Sequence, residues 1–239
     1  MANKLGGSFF DKRFDRPATL SEAIFGHLKK MIIEGQLRPG QRLMEKEFAE
    51  LFKASTTPVR EAFQKLSAEK YIVINSRKDV TVATVTRKEI AELFEVVRVL
   101  DALSAQRAVP NLSDGDVAEL RKMTSRLGDF HRQKKVYEYV VENMKIHDRL
   151  WRACGNDYLY QCLSTSAEKY VFLSNHLFSL GKGSTERPSF FERSFQDHLD
   201  LMDAVEKRDT LAVEKILLSH WGKGFLGEED TGEEVLERI

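Results

Sequence analysis

His147, His198 and His220 each fall on the apolar stripe of a different expected helix, and Asn143 stands one helical turn before His147. Polar side chains on apolar stripes need buried partners. Each histidine can be satisfied separately in a core, or all three can converge with Asn143 on one divalent metal. Imidazole suits zinc, nickel, copper or iron, and zinc or nickel is the expectation here. Such a centre could be closed and purely structural, or open and able to hold an oxyanion. An open three-histidine centre could also activate water, as in a metal-dependent hydrolytic enzyme. No residue has the spacing of a dedicated general base, so the expectation is a protein that is not an enzyme. His27, His131 and His176 do not join the pattern. Cys154 and Cys162, the only cysteines, lack metal or redox spacing and read as free thiols of a reduced, cytoplasmic protein.

The elements that must position the histidines are helices. Thr86 with Glu89 three residues on makes a capping box, and Leu93, Val96, Val97, Leu100 and Leu103 give the following helix an apolar stripe. The run 111–115 breaks the chain. Val117, Leu120, Thr124, Leu127 and His131 then mark a second helix. Val136, Val140, Met144, His147, Trp151 and Cys154 mark a third, stopped at Gly155. Residues 157–180 make one long aromatic-rich helix or two. A loop at 181–188 precedes a helix with Phe191, Phe195, His198, Met202 and Val205, and Val213, Ile216, Leu217 and His220 mark the last strong one. The pattern predicts an all-α bundle of six or seven helices.

The first third of the chain reads differently. Leu20 to Ile33 is amphipathic, with Ile24, Leu28, Met31 and Ile32 on one side, and Gly35 and Pro39-Gly40 close it. Leu43, Phe48, Leu51 and Phe52 give a short second helix a sticky side, and Ala54-Ser55 is a turn. Ser55 or Thr56 can cap a third helix, with Pro58 in its first turn and Val59, Ala62, Phe63 and Leu66 at helical spacing. Thr56, Thr57, Arg60 and Gln64 are left on its exposed start, able to reach base edges and phosphates. Two strands, 71–74 and 80–83, flank a tip that contains Arg77 and Lys78. Three helices and a hairpin with a basic tip make a winged helix-turn-helix.

The run I-x-E-G-x-L-x-P-G-x-x-L-x-E over Ile32–Glu45, followed by S-x-T-P-V-R-E-A over Ser55–Ala62, resembles the GntR family of bacterial transcription regulators. The resemblance is close over roughly residues 18–86. It implies base and phosphate contacts from Lys46, Ser55, Thr56, Thr57, Arg60, Arg77 and Lys78. The chain departs from the family in four places. Thr56 stands where the family places a guanine-reading arginine, and Lys46 stands where it places another. A lysine contacts without the bidentate fork. Lys78 and Lys70 stand where the family carries glycine.

The helical region resembles the FCD effector domain, whose pattern is Asp-x3-His on one helix and one histidine on each of two later helices. Here it reads Asn143-x3-His147, then His198 and His220. Asn143 supplies a neutral carbonyl where the family has a carboxylate. The resemblance implies a small carboxylate effector, and it places Arg98 where the family tends to have an inward arginine that could fork onto that acid. The alternative for Arg98 is a pair with Asp101 on the helix surface.

Composition agrees with this division. Residues 1–86 carry 15 Lys+Arg and 10 Asp+Glu, and residues 87–239 carry 22 and 27, so a net charge of zero hides a basic end and an acidic end. No apolar run is long enough to span a membrane. The expected organisation is a flexible N-terminal arm (1–19), in which Lys4, Lys12, Arg13 and Arg16 could touch DNA, and a winged helix-turn-helix (20–86). An all-helical effector and dimerisation domain (87–226) and an acidic tail (227–239) follow. The expected protein is a homodimeric repressor on a pseudo-palindromic stretch of double-stranded DNA, because a twofold dimer demands a twofold site.

Overall fold

The computed structural model describes residues 19–75, 79–84, 86–179 and 188–221. The expected arm, the wing-tip residues Arg77 and Lys78, and the acidic tail lie outside the described residues. The chain forms two compact units, Met1–Val85 and Thr86–Ile239.

The first unit opens with α1 (Leu20–Ile33). Thr19 caps it in a full capping box with Glu22, and Gly35, at φ +75°, turns the chain away at the other end. A two-residue strand, β1 (Arg42–Leu43), leads into α2 (Glu45–Leu51) and α3 (Thr56–Ala68). Leu43, expected on the second helix, belongs to β1 and is buried there, whereas Leu51 is exposed. Strands β2 (Ile72–Ile74) and β3 (Val80–Val82) complete an antiparallel sheet in the order β1-β3-β2, with Leu43 opposite Val80 and Ile72 opposite Val82. The core is the inner stripe of each element: Ile24, Leu28 and Ile32 of α1 meet Val59, Ala62, Phe63 and Leu66 of α3, while Phe48 of α2 sets its ring edge-on to Phe63 at 5.9 Å. The short turn between α2 and α3 passes through Lys53 at φ +51°, and Lys70 takes φ +59° just after α3. A left-handed residue with a Cβ is strained, which is why glycine suits the position of Lys70 in the family.

The second unit is all helical. It contains α4 (Arg87–Ala108), a 3-10 turn (Val109–Asn111), α5 (Asp114–Arg132), α6 (Val136–Ala153), α7 (Asp157–Ser179), α8 (Pro188–Glu206) and α9 (Thr210–His220). Capping boxes open α4 (Thr86 with Glu89) and α5 (Ser113 with Asp116). Residues 157–179 form one helix rather than two. The close approach of α5 to α8 depends on Gly128, where a Cβ would lie 2.7 Å from the Phe195 ring. The stripe of α4 departs from expectation. Its buried line is Ile90, Phe94, Val97, Asp101, Ala105 and Ala108, while Val96, Val99 and Leu103 stand exposed. Both lines have helical spacing, so periodicity alone could not choose between them.

Candidate functional site

The exposed start of α3 is built by the turn before it. Ser55 is the N-cap residue of α3, but its hydroxyl makes no capping hydrogen bond and stays exposed. Thr57, Arg60 and Gln64 are exposed on the same helix, Lys46 is exposed on α2, and Thr56 is half-buried. Arg60 does not stand alone. Its Nε and Nη2 donate to the two carboxylate oxygens of Glu45 at 2.9 and 2.7 Å, a fork that ties α2 to α3. The pair is exposed and raises the guanidinium pKa further, so Arg60 keeps its charge while its position is narrowed.

Inside the second unit, α6, α8 and α9 bring His147, His198 and His220 together. One ring nitrogen from each lies within 4.8 Å of the others, and the ring centroids are 5.3, 5.3 and 4.7 Å apart. His147 and His198 are fully buried, and the His220 side chain is only 7% exposed. The protons on two of the rings follow from their partners. His198 Nδ1 lies 2.7 Å from the Ser194 carbonyl, which can only accept, so Nδ1 carries the proton and Nε2 keeps its lone pair. His220 Nδ1 lies 3.0 Å from the Asp197 carboxylate, with the same consequence. His147 Nδ1 faces an Asp101 oxygen at 3.0 Å, an ion-pair distance, and its Nε2 has no hydrogen-bond partner among the described residues.

Burial lowers His198 well below the ordinary histidine value, and the other two rings add to that effect. Burial also lowers His220, against the opposing pull of Asp197. Neutral imidazoles with free lone pairs are what a cation needs. Asn143, one turn before His147, is buried, and its Oδ1 accepts no hydrogen bond among the described residues. An unanswered buried carbonyl costs about 1–3 kcal/mol. With His198 Nε2 and His147 Nε2 also without a hydrogen-bond partner among the described residues, the three clustered histidines could hold a divalent metal, with the Asn143 carbonyl one helical turn from His147.

Two further features were missed in the sequence. Asp101 on α4 is completely buried, and it accepts from Trp151 Nε1 (2.5 Å) on one oxygen and from Trp221 Nε1 (2.7 Å) on the other. Burial alone would raise its pKa, but His147 and the two indoles outweigh that and hold it below the usual carboxylate value. The signal was available, because Asp101 continues the line Ile90, Phe94 and Val97. Ser194 and Asp197, which orient His198 and His220, carry no such signal. Arg98 is a correction. It is exposed on α4, beside the buried Val97 and not in line with it, so it is not the inward arginine expected at an effector, and Asp101 is not its surface partner. His131, outside the cluster, pairs with Glu192 at 2.8 Å.

A three-helix unit with a small sheet and an exposed start to α3, followed by a helical bundle around a histidine cluster, is the architecture of a DNA-binding transcription regulator with a second, helical module. The family described as "Bacterial regulatory proteins, gntR family" matches residues 20–82, and the family described as "FCD domain" matches residues 92–223. The chain belongs to the GntR family of transcription regulators and carries an FCD domain. It is 27% identical over 182 residues to the gluconate operon transcriptional repressor of Bacillus licheniformis, covering 76% of this chain and 74% of that one. It is 22% identical over 202 residues to the HTH-type transcriptional repressor GlaR of Escherichia coli (strain K12), covering 81% and 88%. Among solved structures, E. coli McbR/YncC has the same fold, with a TM-score of 0.67, 21% identity and coverage of 85% and 94%. A putative GntR regulator from Rhodococcus sp. RHA1 aligns with a TM-score of 0.69, 19% identity and coverage of 84% and 92%. These relatives are regulators, not enzymes, and among the described residues no helix is long and apolar enough to cross a membrane.

Proposed function

We propose that this regulator is a homodimeric repressor whose operator affinity is set by a small carboxylate effector at a metal-containing pocket of its helical unit. The observation that carries the reading is the set of unanswered ligand atoms on His147, His198 and Asn143, with His220 beside them. His147, His198, His220 and Asn143 would hold a divalent cation, zinc or nickel. When bound, the cation supplies a positive centre with open positions that attracts an oxyanion. The protein's own part is to keep the three imidazoles aimed and out of water, with burial favouring the neutral form of His198 and His220. Lys46, Ser55, Thr56, Thr57, Arg60, Arg77 and Lys78 would meet the DNA.

The dimer reading is supported by an apolar face on the second unit. Val96, Val99 and Leu103 are 55%, 52% and 44% exposed on one side of α4. Gln106, one turn further along that side, bonds Glu214 on α9, whose neighbours Leu211 and Leu218 are exposed too. A two-helix apolar face of this kind suits a second copy of the chain. Coupling between effector and operator in such a dimer is typically about 1–3 kcal/mol.

The test is elemental mass spectrometry of the purified, untagged protein beside His198→Ala, followed by operator binding with and without a panel of carboxylic acids. About one metal per chain, lost in the variant, and release from DNA by one acid are expected. Protein without metal would remove the cation from the reading. A bound metal with no acid altering DNA affinity would leave it structural.

A further inference from the structure

Three elements of the second unit meet at one carboxylate. Asp101 comes from α4, Trp151 and His147 from α6, and Trp221 follows α9 directly after His220. Asp101 Oδ1 takes the Trp151 indole N–H, and Oδ2 takes the Trp221 indole N–H while facing His147 Nδ1 at 3.0 Å. With both oxygens occupied, Asp101 is not itself a candidate ligand, and it does not belong to the group of side chains able to share a cation. A fully buried carboxylate is costly unless its neighbours satisfy it. Here the neighbours are a candidate ligand and the residue next to another. The His147 ring is packed between the indoles, 6.0 Å from Trp151 and 5.1 Å from Trp221 by centroids.

We propose that Asp101 is the positioning residue of the histidine site, fixing His147 through its ring nitrogen and the end of α9, with His220, through the indole of Trp221. The carboxylate beside Nδ1 favours the proton on that nitrogen and leaves the Nε2 lone pair for a ligand, as the Ser194 carbonyl and Asp197 do for the other two rings. All three imidazoles would then present the same nitrogen. The two indole bonds stop the carboxylate from turning away, and they join α4, α6 and α9 at the level where two of the ligands emerge. This inference rests on the metal reading above for what the ring is aimed at.

The full-length protein, stripped with a chelator, is titrated with Co²⁺ and followed by its visible ligand-field absorption. Asp101→Asn keeps the shape but gives up the charge and one acceptor oxygen. It is expected to weaken cobalt binding roughly ten- to a hundredfold and to shift the absorption band. Trp221→Phe leaves Asp101 and His147 in place and is expected to weaken binding severalfold. Long-range ¹⁵N–¹H correlation on the metal-free protein is expected to show His147 protonated at Nδ1, with that preference lost in Asp101→Asn, a change that a merely structural role would not produce. Cobalt binding by Asp101→Asn equal to that of the unaltered chain overturns the proposal. Should that variant fail to fold by circular dichroism, unchanged affinity and absorption in Trp221→Phe overturn it instead. If the unaltered chain takes up no cobalt, the metal reading fails, and the His147 tautomer alone then decides whether Asp101 orders the ring.

Discussion

On α3, Arg60 stands in water and is held by two hydrogen bonds to Glu45. Inside the helical unit, His147, His198 and Asn143 stand out of water with atoms that have no hydrogen-bond partner among the described residues. The two regions solve opposite problems. A DNA-reading surface must stay soluble without its partner, so its charges are exposed, screened and loosely paired, and an exposed pair of this kind contributes little to stability. A ligand site inside a bundle must be shaped before the ligand arrives, so its polar atoms are desolvated and left open at a cost in stability. The first region can exchange partners freely, whereas the second, on the proposed reading, is shaped for one ligand.

The largest expected effect separates the two regions outright. His198→Ala should abolish metal uptake, read by elemental analysis, while operator binding stays detectable by fluorescence anisotropy. Arg60→Ala should do the reverse. It should weaken operator binding by about 1–3 kcal/mol, or roughly 5- to 150-fold, with metal content unchanged. Loss of both properties in either variant would break the division. Asn143→Asp sharpens it further, since a charged oxygen in place of a neutral one should tighten metal binding by about tenfold, or ~1.4 kcal/mol, in calorimetry.

Acid should act on one region only. His198 and His220 have lowered pKa values in the folded chain, so below about 6.5 the unfolded chain binds protons that the folded one refuses. Stability is therefore full above that pH and is lost as the pH falls toward the lowered values. In the metal-free protein, denaturant midpoints at pH 7.5 and 5.5 should drop for the helical unit and hold for the DNA-binding unit. The smallest effect is local. Lys70→Gly relieves the left-handed backbone after α3 and should stabilise the first unit by about 1 kcal/mol in urea.

The sequence made one region more legible than the other. The recognition helix is a local object, in which turn, cap, apolar stripe and exposed start all lie within Ala54–Leu66. Glu45 as the partner of Arg60 was not legible, because it depends on how α2 crosses α3. The histidine cluster could be read from three stripes on three helices, although the elements are far apart in sequence, because a buried histidine is conspicuous wherever its helix packs. Asp101 was missed because apolar residues lie at helical spacing on more than one side of α4, and of the expected stripe only Val97 is buried while Val96 and Leu103 stand exposed. Arg98 is expected inward only from the family resemblance, and it stands exposed beside the buried Val97. A pattern fixes the period of a helix but not which side faces in when both sides are apolar.

Trp151 and Trp221 are the only two tryptophans in the chain, and both donate to the same carboxylate. The tryptophan emission of this regulator, excited beyond the tyrosine band, therefore arises from a single point in the bundle, about a ring's breadth from His147. Anything that enters or rearranges that point should change the light the protein emits. Events confined to the DNA-binding unit should leave that emission unchanged. The chain thus carries its own optical probe, placed where the ligand question is asked, and no label is needed to watch it.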